Sequence, residues 1–264
     1  MIYEILLILL LIIYLFNILK TEGFTELYES KRILQNMESL DKFRASIYDE
    51  MYNTLEYHKL TGNEVIPYLN HNSQVLCIGT RTGHILQLLS QSNYLIGLEN
   101  SSYFINKSKE KYGELNIVNG NYNNIKIFEN NKFTHIVIPV FIIHTYTDIQ
   151  LFFDIMYNWL VHNGYVFITY FNAWDNMSDI INNDPNTEFI DNYDFSLEIT
   201  PKSKGIIYNE IIKKNKLLKR KYIWNFNNVT LDNLIHISTS KGFKFIRNIK
   251  LKNNFYMCIL RKNN

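Results

Sequence analysis

Five residues, Gly79-Thr80-Arg81-Thr82-Gly83, close a short apolar run (VLCI) and open a helix-spaced one (HILQLL). Glycine at both ends lets the chain turn tightly from strand to helix. It also leaves main-chain N–H groups bare, which is what holding a carboxylate or phosphate against backbone requires. Sixteen residues after Gly83, Glu99 ends a second apolar run, YLIGLE. A carboxylate at that place can accept both hydroxyls of a ribose. The chemistry indicated is the binding of a nucleoside-type ligand beside naked main chain. His144 follows a further apolar run, FTHIVIPV, at the end of a strand, where an imidazole could serve as general base. Tyr146 and Tyr170 are candidates for the wall of a reaction site or for proton donation to it. His135, inside that run, and His236 read as structural.

These residues need elements to position them. The spacing predicts strands over Gln74–Gly79, Tyr94–Glu99, Leu115–Val118, Phe133–Val140 and Gly164–Phe171. Helices over His84–Ser90, Tyr103–Tyr112 and Asp148–Leu160 alternate with them. Strands that are apolar almost throughout, alternating with helices, imply a parallel sheet covered on both faces, and right-handed crossovers make it doubly wound. Residues 172–229 break the rhythm. Runs over Phe195–Thr200, Gly205–Lys213 and Lys216–Phe226 predict an inserted antiparallel layer, its last two strands turning at Lys214-Asn215. A helix over Leu231–Lys241 and strands over Phe243–Leu251 and Phe255–Arg261 follow. The last two, joined by Lys252-Asn253-Asn254, must pair antiparallel. Upstream, Leu40–Leu69 is helix-spaced.

The segment VLCIGTRTGHILQLL, from Val75, resembles the first motif of class I S-adenosylmethionine-dependent methyltransferases, with Gly79, Thr82 and Gly83 on its glycines and threonine. GLENSSYFINKSKEKY, IVNGNYNN, KFTHIVIPVFIIHTYTD and WLVHNGYVFITYF resemble the stretches that follow it in that family. Together they cover about Val75–Phe171 in order. A doubly wound sheet of seven strands ending in an antiparallel hairpin is the expected fold, and it separates this family from dinucleotide dehydrogenases. The resemblance implies S-adenosylmethionine as cofactor. It implies contacts from Gly79, Thr80, Arg81, Thr82, Gly83, Glu99, Asn100 and Val140, with Asn121 on the adenine amino group and Tyr122 on the ring. RASIYDEMYNTLEYHK, from Arg44, resembles the helix that precedes the motif, and places Tyr48 at the methionyl end. Two departures stand out. Cys77 replaces an acid and Arg81 replaces the middle glycine; Arg81 could pair with the methionyl carboxylate or obstruct the turn. The readings are therefore methyl transfer to a small-molecule or lipid-like acceptor, or a catalytically inactive membrane-tethered scaffold or binding module. A nicotinamide dehydrogenase is disfavoured, because Arg81 occupies its second glycine.

At the N-terminus, Ile5–Phe16 is unbroken apolar sequence, so residues 1–20 approach the ~20 residues that span a bilayer. A retained anchor is expected over a cleaved signal peptide, since no Lys or Arg precedes the run and no small-residue cleavage site follows. Lys20, Lys31, Arg32, Lys42 and Arg44 all follow it, which places the globular part on the cytosolic side. Residues 21–39 read as a linker and residues 40–264 as the globular domain. Lys213, Lys214, Lys216, Lys219, Arg220 and Lys221 form a basic hairpin that could also meet anionic headgroups. The 264-residue chain is 47% hydrophobic with a formal net charge of +2, which supports a full core and argues against a nucleic-acid partner. Its two cysteines sit in apolar runs and read as core residues, and no metal is expected.

Overall fold

The computed structural model describes residues 33–52, 54–90, 94–171, 193–203, 205–252 and 254–263. Five parallel strands form the centre of one sheet: β2 (Gln74–Ile78), β3 (Tyr94–Glu99), β4 (Ile117–Asn119), β5 (Phe133–Ile138) and β6 (Leu160–Phe171). Val75, Leu76, Cys77 and Ile78 are all fully buried, so β2 packs on both faces and needs no polar alternation. The antiparallel pair β10 (Phe243–Lys252) and β11 (Phe255–Lys262) completes the sheet in the order β10-β11-β6-β5-β2-β3-β4. This is the doubly wound seven-stranded sheet with a terminal hairpin that the sequence predicts. The chain leaves β2 toward β3 and β4, then crosses back to β5 and β6. The ends of β2, β3 and β5 therefore flank the switch point, where an open α/β sheet has its crevice.

Helices α3 (His84–Leu88), α4 (Ser102–Tyr112), α6 (Ile149–Trp159) and α7 (Leu231–Ser240) cover the sheet. The apolar stripe of α6, Phe152, Phe153, Ile155, Met156 and Trp159, is buried, and the Asp148 carboxylate caps its start by accepting from Leu151 N at 2.9 Å. A single-turn helix, α5 (Ile142–Thr145), follows β5. The predicted helical stretch Leu40–Leu69 is two helices, α1 (Lys42–Met51) and α2 (Thr54–Val65). They part at Tyr52, whose extended backbone (φ −121°, ψ 139°) cannot continue a helix.

A second sheet caps the first. Strands β7 (Tyr193–Lys202), β8 (Gly205–Lys214) and β9 (Leu217–Asn227) form the predicted antiparallel layer. Alternate residues of β8 and β9 are buried, among them Ile206, Tyr208, Glu210, Tyr222, Trp224 and Phe226, which gives the layer one covered face. Its β8–β9 turn is Asn215-Lys216, one residue later than predicted. Both residues have positive φ (52° and 64°), as a right-twisted two-residue hairpin requires. One expectation is corrected. Residues 33–39, assigned to the linker, form strand β1 (Ile33–Gln35), parallel to β9 with Ile33 opposite Lys221, and a turn of 3-10 helix. A three-residue strand on a sheet edge carries too little alternation to be read from sequence.

Cys77 and Cys258 are free and buried, and burial pushes the Cys258 thiol up to about 12. Among the described residues no group of His, Cys, Asp and Glu could hold a metal ion. No helix among them is long and apolar enough to cross a membrane, and the predicted span 1–20 lies outside them.

Candidate active site

Three loops meet at the switch point: Gly79–Gly83 after β2, Asn100–Ser101 after β3 and Pro139–Phe141 after β5. Glu99 closes β3 and is fully buried. Its carboxylate accepts from three main-chain N–H groups: Asn100 and Ser101 on Oε1 at 3.0 and 3.1 Å, and Arg81 on Oε2 at 3.0 Å. The acid is thus fixed by main chain at the end of β3. The Tyr122 hydroxyl lies 3.1 Å from Glu99 Oε1 and 3.0 Å from Asn100 Oδ1, its one hydrogen shared between them. Burial first, then the neighbouring Glu99 charge, holds the Tyr122 pKa well above the ordinary tyrosine range, so the phenol stays a donor.

Arg81 does something the sequence reading left open. Its Nη1 lies 3.1 and 3.2 Å from the two Glu99 oxygens and 3.3 Å from the Tyr122 hydroxyl. The guanidinium, 5.6 Å over the Phe104 ring, is only 5% exposed as a residue. Burial opposes the Arg81 charge, but Glu99, Tyr122 and Tyr48 together outweigh it and its pKa is raised. The backbone at Arg81 is left-handed (φ 48°), at a cost of about 1–2 kcal/mol for a residue with a Cβ. A buried charge-assisted pair offsets that strain. Arg81 therefore occupies both carboxylate oxygens of Glu99.

The flanking glycines serve the fold as well. Gly79 has φ 76°, and a Cβ there would stand 2.2 Å from Ile142 Cδ1, so the missing side chain admits α5. Gly83 has φ 82°, and a Cβ would meet Ser108 and Leu115 at 2.7 and 2.8 Å. Thr82 donates to Asp49 Oδ1 at 2.6 Å, tying the motif to α1. The Thr80 hydroxyl is buried without a partner.

Beside this acid lies a cleft of about 530 Å³, lined among others by Asn100, Asn121, Tyr122, Tyr146 and Trp224. Its size suits a nucleoside-sized ligand. Asn121 Oδ1 accepts from Asn123 N at 2.9 Å and keeps a second lone pair for a ligand donor. The Tyr146 hydroxyl is buried and unpartnered, with its ring centre 6.3 Å from that of Tyr122. Burial raises its pKa, so it too stays protonated.

A second, small cavity of about 20 Å³ lies under the cap, lined by Arg44, Tyr48, Arg81, Phe141, Tyr208 and Glu210 among others. Arg44 forms a two-pronged ion pair with Glu210, donates to the Tyr52 hydroxyl at 2.6 Å, and sits 4.9 Å from the Trp224 ring centre and 5.0 Å from that of Tyr222. The sequence reading missed this pair. Its signal was there: Glu210 falls on the inward face of β8, where the alternation calls for apolar residues.

Two predicted catalytic residues are corrected. His144 is fully buried. Its Nδ1 faces Asn227 O at 3.1 Å and its Nε2 accepts from Phe171 N at 3.1 Å, which makes it the neutral Nδ1–H tautomer. Burial lowers its pKa to about 4. Both nitrogens brace the backbone, so the ring ties α5 to β6 and β9 and is not a base. Tyr170 donates to Asn248 Oδ1 at 3.1 Å and stacks on Tyr256, within the core and away from both cavities. A strand's alternation places it there: Phe171, next in β6, faces the cap-side cluster. Val140 is buried in that same cluster and lines neither cavity.

Residues 76–168 match the sequence profile of a family described as methyltransferase domain. No curated protein matches. Solved structures share the fold at low identity. An S-adenosylmethionine-dependent methyltransferase from Clostridium acetobutylicum is 11% identical, with a TM-score of 0.64 over 84% of this chain and 97% of that one. DesVI of Streptomyces venezuelae is also 11% identical, with a TM-score of 0.60 over 84% and 98%. An S-adenosylmethionine-bound amino pentose methyltransferase from Micromonospora echinaspora is 10% identical, with a TM-score of 0.58 over 78% and 92%.

Proposed function

We propose that the chain is an S-adenosylmethionine-dependent methyltransferase acting on a small-molecule or lipid-like acceptor. The observation that carries this reading is Glu99, held by three main-chain N–H groups at the switch point of a methyltransferase fold, beside a cleft of nucleoside size. The residues fit the cofactor once the Arg81 side chain leaves Glu99. Glu99 would accept the ribose hydroxyls, Asn121 the adenine amino group, and Tyr122 would stand against the ring. The unpartnered Thr80 and Tyr146 hydroxyls are further donors for cofactor or acceptor. When bound, the cofactor supplies a methyl group on a sulfonium, a leaving group good enough that the protein need only align the acceptor and exclude water. With His144 engaged in the backbone, no base is assigned. The acceptor is then a group that reacts without prior deprotonation or that loses its proton to solvent.

A second reading, a cofactor-free scaffold on the same fold, is favoured by the Arg81–Glu99 ion pair. Calorimetric titration with S-adenosylmethionine separates the two: saturable binding is expected, and its absence would sink the enzymatic reading. We further propose that residues 1–20 tether the domain to a membrane with the domain on the cytosolic side. Proteolysis of the domain from outside sealed cytosolic-face-in vesicles would contradict that orientation.

A further inference from the structure

We infer that Arg81 is a built-in competitor for the cofactor's ribose: it closes the binding site by occupying Glu99, and the cofactor must displace it. The inference rests on the methyltransferase reading. Three observations carry it. The guanidinium Nη1 lies within 3.2 Å of both Glu99 oxygens, the atoms that the ribose hydroxyls need. The Tyr122 hydroxyl, 3.3 Å from the same Nη1, closes the cleft side of the acid. Glu99 itself does not depend on the guanidinium for its position, because the N–H groups of Arg81, Asn100 and Ser101 hold it. Removing the side chain therefore leaves a carboxylate still placed by main chain, with the Tyr122 hydroxyl as its remaining side-chain partner.

Arg81 also borders the small cavity under the cap, whose one lining carboxylate, Glu210, is already paired with Arg44. The left-handed backbone at residue 81 puts glycine at an advantage over arginine there, so the charge pair, not the turn, is what keeps Arg81 in place. A ligand whose competent state is only partly populated binds more weakly by that fraction. Arg81 thus sets the cofactor affinity of this chain.

The test is calorimetric titration of the full chain and its Arg81→Gly and Arg81→Gln variants, each checked by thermal melting. Arg81→Gln keeps the length of the side chain in case Arg81→Gly alters the turn. The probes are S-adenosylhomocysteine, adenosine and 2′,3′-dideoxyadenosine. Both variants are expected to bind S-adenosylhomocysteine and adenosine about tenfold or more tighter than the parent, as losing a charge-assisted competitor implies, with the dideoxy probe unchanged. Unchanged affinity for all three probes would overturn the competitor role and leave the enzymatic reading standing. Loss of S-adenosylhomocysteine affinity with adenosine unaffected would overturn it too, making Arg81 a ligand of the cofactor's carboxylate. If neither the parent nor the variants bind S-adenosylhomocysteine, the cofactor reading falls, and the competitor with it.

Discussion

In the proposed reading Glu99 is the residue on which ligand binding turns, because backbone N–H groups aim its carboxylate at the switch point. Glu99→Gln keeps the shape and removes the charge. It should weaken S-adenosylhomocysteine binding by about tenfold or more, the worth of a hydrogen bond to a charged group, as read by titration. His144 tells a different story. Its folded pKa of about 4 lies below the ordinary value of 6.5, so the unfolded chain binds the proton first. Its contribution to stability is complete above pH 6.5 and is lost as the pH falls toward 4. His135, lowered to about 4, and His58, lowered to about 3, act in the same direction. Urea unfolding should therefore show stability dropping between pH 7 and pH 5, with about 2 kcal/mol of that drop due to His144. His144→Phe should be less stable at pH 7 and lose less on acidification; an undiminished acid loss would refute the assignment.

At the scale of elements, the cap is fastened to α1 by a buried charge. Glu210 on β8 and Arg44 on α1 are both inaccessible, and their pair crosses the layer between the cap sheet and the helices. Glu210→Leu strands the arginine and should cost about 3–5 kcal/mol in chemical denaturation, whereas the double variant Arg44→Met/Glu210→Leu should recover most of that loss. The junction of β2 with α5 is equally tight. Gly79→Ala brings a Cβ to 2.2 Å from Ile142 Cδ1 in a left-handed backbone. Overpacking of that kind should cost about 1–3 kcal/mol. Adding Ile142→Ala should relieve the clash only in part, because the backbone strain at φ 76° stays. Much of this scale was legible beforehand. Tyr94–Glu99 and the β10–β11 hairpin lie within a residue of where the patterns put them, since apolar runs and Gly or Asn turns are local signals. The break at Tyr52 was not legible, because helix-spaced apolar residues continue through it.

Across the whole molecule, a seven-stranded sheet carries the site at its switch point, and a four-stranded cap roofs it from the side of α1. β1 runs parallel to β9, so the chain enters the cap from the end bearing the β8–β9 turn, where Leu217 is 72% exposed among Lys214, Lys216 and Lys219. If residues 1–20 anchor the chain, the full-length protein should float with liposomes, and replacing three of the apolar residues in Ile5–Phe16 with aspartate should release it to the soluble fraction. Retention of that variant on vesicles would refute the anchor.

The fold class and the identity of the candidate acid were determined by sequence alone. Both rest on short-range features: apolar runs of strand length, two glycines at a turn, and a carboxylate at a strand's end. What tertiary structure decided is which polar groups remain available to a ligand. His144 and Tyr170 have the right chemistry for a reaction site, yet the partners that consume them, Asn227 and Phe171 for one and Asn248 for the other, come from elements 27 to 83 residues away. Arg81 could have faced a ligand or the protein's own acid. Only the packing of three loops around Glu99 settles that, because the pairing of buried charges depends on distances that no local pattern encodes.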